Sequence, residues 1–156
     1  MDEQNRIVNV FLEHPGEVRR NPEIDHDRNV AIFDLVEENF FDLVEGPTGP
    51  YDLHLKVEEN RLNFGFRDER DHLVLEFSLS ISNFRSIVKD YFVVCASYYD
   101  AIKTATPSRI EAIDMGRRGL HNEGSQLIQD RLEPYVKIDF STARRLFTLI
   151  CVLHQR

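Results

Sequence analysis

The chain has 156 residues, 42% of them hydrophobic and 29% charged, which fits one globular domain over residues 1–156 and excludes wholesale disorder. Seven glycines and six prolines without a period exclude collagen-like and linker compositions. The net charge of −8 is uneven: residues 1–80 hold 8 Lys plus Arg against 19 Asp plus Glu, a balance of −11, and residues 81–156 hold 11 against 8, a balance of +3.

In chain order, RIVNVFL over 6–12 is apolar and β-branched and predicts a first strand, punctuated by Glu13, Pro15 and Gly16. After the polar connection EVRRNPEID, a helix is expected from about Pro22 to Asp42. Ile24, Ala31, Ile32, Leu35, Val36 and Phe40 recur at its period, with Asn21 as N-cap and Pro22 at the first turn. Its wet face is acidic. GPTGP at 46–50 breaks it. Three alternating runs follow, with Tyr51, Leu53, Leu55 and Val57, then Leu62, Phe64 and Phe66, then Leu73, Leu75, Phe77, Leu79 and Ile81 on one face. They predict an antiparallel meander with Asp52, His54, Lys56, Glu58 and Arg61 on its solvated face.

Ser82 or Asn83 is the expected cap of a helix to about Thr104 that covers the sheet through Phe84, Ile87, Val88, Tyr91, Phe92, Cys95, Tyr98 and Ile102. Another helix starts near Pro107 and stops before Pro134; Gly116, Gly119 and Gly124 inside it predict a kink, a break or close packing. VKIDF reads as a short strand. STARRLFTLICVLH, capped by Asp139 or Ser141, reads as a buried final helix. The fold class expected is α+β, an antiparallel sheet of three to four strands packed by helices, with a helical C-terminal half.

FRSIVKDYF, SYYDAIKTATPSRIEAIDMGRRGLHNEGS and ARRLFTLICVLH, with PEIDHDRNVAIFDLVEENF and GPYDLHL before them, resemble the uncharacterised protein family numbered 0262 in the UPF series, known from alphaproteobacteria. The resemblance spans nearly the whole chain. It implies a bacterial cytoplasmic protein and carries no activity, cofactor or catalytic residue.

Chemistry must therefore be sought in the residues. In DMGRRGLHNEGSQ a helix places Asp114, Arg118, His121 and Ser125 on one stripe, with Arg117 beside them. Guanidinium groups bind planar anions, and glycines admit a ligand to the backbone, so Arg109, Asp114, Arg117, Arg118, His121, Asn122, Glu123 and Ser125 are candidates for anion or partner binding. The competing reading is an ordinary Asp114–Arg118 pair, a histidine at a helix interface and glycines for tight packing. His121 as a phosphoacceptor is disfavoured, because no acid directly follows it. IDHDR suggests a metal only superficially. Its three side chains do not share a helical face, and acids at a helix N-terminus complement the macrodipole, so neither a metal nor a cofactor is expected. His54 and His72 could pair across the sheet, but exposed polar positions on or beside strands are the preferred reading.

Cys95 and Cys151 sit on apolar faces far apart, which fits packing in a reducing compartment and not a disulfide framework or a nucleophile. The N-terminal MDEQNRIVNV lacks the basic start of an export signal, and no apolar run approaches the roughly 18 residues of a membrane span. No nucleophile elbow, P-loop or dinucleotide fingerprint occurs. Three functions remain, and whether the protein is an enzyme stays open. The first is a binding or regulatory module that uses the charge asymmetry to hold a protein partner or a second copy. The second is a small enzyme or binding protein for a phosphorylated or carboxylated metabolite at Arg117, Arg118 and His121. RNA binding through Arg109, Arg117, Arg118, Arg144 and Arg145 ranks third, because the strands lack an exposed aromatic platform.

Overall fold

A computed structural model describes residues 4–13 and 22–154. The elements are β1 (Ile7–Glu13), α1 (Pro22–Glu37), β2 (Phe41–Leu43), β3 (Tyr51–Glu58), β4 (Arg61–Arg67), β5 (Leu73–Ser80), α2 (Ser82–Thr104), α3 (Pro107–Leu132), β6 (Val136–Ile138) and α4 (Phe140–Leu153). This is an α+β fold with a helical C-terminal half. The proposed Asn21 cap and the 14–21 connection lie outside the described residues, as do the side chains of Pro22, Glu23 and Ile24.

The predicted meander is present: β3, β4 and β5 pair antiparallel, with Leu53 opposite Phe66 and Phe64 opposite Phe77. Its alternation buries Tyr51, Leu53, Leu55, Leu62, Phe64, Phe66, Phe77 and Leu79. Leu73 departs from the pattern at 47% exposure, where the register shifts beside Arg67. β1 adds a fourth strand next to β3, in the order β1-β3-β4-β5, and it runs parallel to β3. The sheet is therefore mixed, because the crossover through α1 returns the chain in the same direction.

The helix expected to reach Asp42 ends at Glu37. Asn39 stops it: the side-chain amide donates to the carbonyls of Leu35 (2.8 Å) and Ile7 (3.0 Å), and its oxygen accepts from the Ile7 amide (2.8 Å). Phe41–Leu43 then pair antiparallel with the short strand Val136–Ile138. Local periodicity favoured continuing the helix, and a partner almost a hundred residues away overrode it.

α2 begins without a side-chain cap, since neither Ser82 nor Asn83 fills that role and the N-cap position is Ile81. α3 is capped by Thr106, which accepts from the Arg109 amide at 3.4 Å, and Asp139 caps α4 through the Thr142 amide at 2.8 Å. α3 runs unbroken through its three glycines. Only Gly124 is there for packing, since a Cβ on it would lie 2.3 Å from the Phe147 ring, whereas one on Gly116 or Gly119 would meet nothing within 4 Å. At 1.5 Å per residue α2 and α3 are roughly 35 and 39 Å long, against about 21 Å for α4. The α2–α3 hairpin therefore overhangs α4, and Ala101 is the one buried side chain near its tip. α4 is the buried helix that its composition predicts, with Leu146, Phe147, Leu149, Ile150, Cys151 and Val152 all inside the core. Among the described residues no helix is long and apolar enough to cross a membrane.

Candidate functional site

The stripe singled out from the sequence forms, and its members turn toward one another. Asp114 accepts from Arg117 Nη2 at 2.6 Å and from Arg118 Nε at 3.3 Å, while the Arg117 guanidinium lies 4.0 Å above the Tyr98 ring. One carboxylate thus engages both arginines, and the cation–π contact joins α3 to α2. Arg144 donates to Asn122, and Arg145 reaches Ser141 (2.6 Å) and Glu38 (3.3 Å). Arg109 and Glu123 stay exposed. Of the five arginines of the RNA reading, Arg117, Arg144 and Arg145 are held in contacts with other parts of the chain.

His121 stands edge-on to Tyr91 and Phe147, and its Nε2 lies 2.9 Å from Thr148 Oγ1. Thr148 donates its own proton to the Arg144 carbonyl at 3.1 Å, so Nε2 carries the imidazole proton. Ser125 is buried and gives its proton to the His121 carbonyl at 2.7 Å. Burial, with the Arg144 and Arg117 charges behind it, lowers the His121 pKa to about 4, so the ring is neutral near pH 7. Chemically, this cluster clamps α2, α3 and α4. Its exposed remnant is Arg118, whose side chain is 60% accessible.

The two cysteines flank the same joint. Burial, followed by the nearby Cys95, pushes the Cys151 thiol up to about 12, which makes it a packing group and not a nucleophile. Tyr91 is likewise held protonated by burial and by Cys95. Of the other histidines, His72 lies 3.6 Å from Asp68, and His54 stacks on Phe11 at 4.7 Å, so the two do not pair. In IDHDR, Asp25 binds Arg28 at 2.8 Å, and among the described residues no three His, Cys, Asp or Glu side chains are placed to share a metal ion.

A second site was not anticipated. Between α2 and the end of α4 lies an open trough of about 430 Å³ lined by Arg85, Val88, Lys89, Phe92, Val93, Ala96 and His154. It adjoins a cavity of about 320 Å³ that shares Arg85 and His154 and is walled by Val57, Leu62, Ile81, Phe84, Ile150 and Leu153. Arg85 donates to Asn60 Oδ1 at 2.6 Å, and among the described residues no carboxylate pairs with Arg85 or Lys89. His154 Nδ1 donates to the Ile150 carbonyl at 2.8 Å, which leaves Nε2 as a buried acceptor with no partner among the described residues. The sequence did hold one signal: Arg85, Lys89, Phe92 or Val93, and Ala96 recur at helical spacing on a single stripe. The wall supplied by α4, some sixty residues on, had none.

Comparison with known proteins gives a family and no activity. An uncharacterised protein family, UPF0262, matches residues 4–156. A UPF0262 protein of Rhodopseudomonas palustris (strain BisB18) is 56% identical over 153 residues, covering 98% of this chain and 94% of the relative. One from Bradyrhizobium sp. (strain ORS 278) is 56% identical over 155 residues, covering 98% and 92%. One from Paramagnetospirillum magneticum (strain AMB-1) is 51% identical over 156 residues, covering 100% and 99%. No solved structure matches the chain. With a family match over almost its whole length and relatives above half identity, the chain belongs to the UPF0262 family.

Proposed function

We propose that this protein is a protein-binding module and that its docking surface is the trough between α2 and α4, which takes an amphipathic helix with an acidic face. The observation that carries this reading is the pairing of an apolar trough with two cations, Arg85 and Lys89, that have no carboxylate partner among the described residues. A helix laid into such a trough buries its apolar stripe against Val88, Phe92, Val93 and Ala96 and sets its carboxylates on the rim. The fixed charges then select acidic over basic helices and raise the encounter rate at low salt. The Asp114, Arg117 and His121 cluster supports this surface from behind by holding α2, α3 and α4 together.

Fluorescence anisotropy tests it with two labelled helical peptides that share one Leu and Phe stripe, one carrying Glu and the other Lys on the flanks. The acidic peptide binds, its affinity falls with added NaCl, and R85E/K89E abolishes binding while thermal unfolding stays near wild type. Equal binding of both peptides, or an unchanged affinity in R85E/K89E, overturns the reading. The metabolite reading keeps one supporting observation, the exposed guanidinium of Arg118. Under that reading, inorganic phosphate or a dicarboxylate raises the unfolding temperature of wild type and not of Arg118→Ala.

A further inference from the structure

The proposed trough asks for an acidic helix with an exposed apolar stripe, and the chain carries one. On α1, Ala31 and Leu35 face the core, while Val30 and Phe33 stand on the opposite side, 44% and 65% exposed. Asp27, Asp34 and Glu37 are exposed around them. Offsets of three, four and seven from Val30 put Phe33, Asp34 and Glu37 on one face, with Asp27 one turn before. Asp25 and Glu38 are held by Arg28 and Arg145, whereas among the described residues no cation pairs with Asp27, Asp34 or Glu37. Each surface therefore shows what the other lacks: apolar side chains beside unpaired carboxylates on α1, and apolar side chains beside unpaired cations on α2.

We infer that the occupant of the trough is α1 of a second copy of this chain, with Phe33 and Val30 seated over Val88, Phe92 and Val93 and with Asp34 and Glu37 meeting Arg85 and Lys89. The inference rests on the docking reading above and names its ligand. Within one copy α1 is not available to its own trough, because Ala31 and Leu35 pin it to the core and Asn39 ties its end to β1. A second copy is also the partner for which the net charge of −8 is the obstacle, and this contact is where opposite signs meet despite it. Helix and trough are different patches of one surface, and when each copy's α1 enters the other's trough across a two-fold axis the two reciprocal contacts make one isologous interface and close a dimer.

Sedimentation velocity of the full chain tests this across a concentration series at low and high NaCl. Wild type self-associates at low salt and dissociates as salt rises. D34K/E37K and R85E/K89E each raise the dissociation constant at least tenfold when alone. Mixed in equal amounts they re-associate, because the reversed α1 of one fits the reversed trough of the other and the native surfaces still fit as well. Phe33→Ala, which changes no charge, also weakens wild-type association. A monomeric wild type at every concentration overturns the second-copy inference and leaves the acidic-peptide test of the docking reading standing. Association that survives both reversals, or a mixture that fails to recover, overturns this interface.

Discussion

Among single residues, the three glycines of α3 separate cleanly into one that packs and two that do not. Gly124→Ala pushes a methyl group into the buried Phe147 ring, and equilibrium denaturation should register a loss of about 1–3 kcal/mol. Gly116→Ala and Gly119→Ala meet nothing and should each gain up to about 1 kcal/mol in the same measurement, because alanine loses less backbone entropy in a helix. All three glycines look alike in the sequence; only the position of Phe147 on another helix tells them apart. His121 titrates near its ordinary 6.5 when unfolded and at about 4 when folded. The unfolded chain thus binds the extra proton first as pH falls, so the stability contributed by the neutral ring is complete above pH 6.5 and is lost progressively down to about 4. For a partly exposed ring that is about 1–2 kcal/mol. Denaturation midpoints between pH 7 and 4 should fall less steeply in His121→Gln, and identical slopes would assign the acid sensitivity to other groups.

At the scale of elements, the sequence was most readable where periodicity and burial agree. The alternation of β3 to β5 and the apolar run of α4 specify their faces without reference to anything distant. It was least readable at Phe41 and Asp42, which the helical period carries into α1 yet which belong to β2, because the deciding partner is β6. Asn39 marks the switch, and its effect can be measured. Asn39→Ala leaves the Ile7 amide and the Leu35 carbonyl without their side-chain partner, and should cost about 2–3 kcal/mol in chemical denaturation. An effect below about 0.5 kcal/mol would mean that water replaces the amide at no penalty. The Asp114 to Ser125 stripe was legible as a stripe, since helical spacing alone places it. Which of its members face inward was not legible, because Tyr98, Thr148 and Phe147 come from the two neighbouring helices.

For the molecule as a whole, the overhang of the α2–α3 hairpin divides the protein into a dense body and a lighter arm. Hydrogen exchange should show fastest opening around Ala101 to Ile113, where Ala101 is the only buried side chain, and slowest exchange in β3, β4 and the middle of α4. Uniform protection along α2 would contradict that division. The charge asymmetry read from the sequence survives folding as two separate surfaces, an acidic α1 and a cationic rim on α2. What the sequence could not convey is that each charged surface borders exposed apolar side chains, since the exposure of Phe33 and the trough beside Phe92 depend on how α1 and α2 seat on α4.

That seating also bears on how the chain is made. α1 packs on α4 and β2 pairs with β6, so α1 and β2 leave the ribosome well before the elements they partner. Until α4 emerges, Ala31, Leu35 and Phe41 have no core to enter, and the nascent chain displays them together with the aromatic faces of β3 and β4. Such long sequence separation slows folding and prolongs the exposure of apolar surface. Newly made copies of this protein should therefore be clients of chaperones that bind apolar segments during translation, and a chain cut before Asp139 should be degraded rather than accumulate.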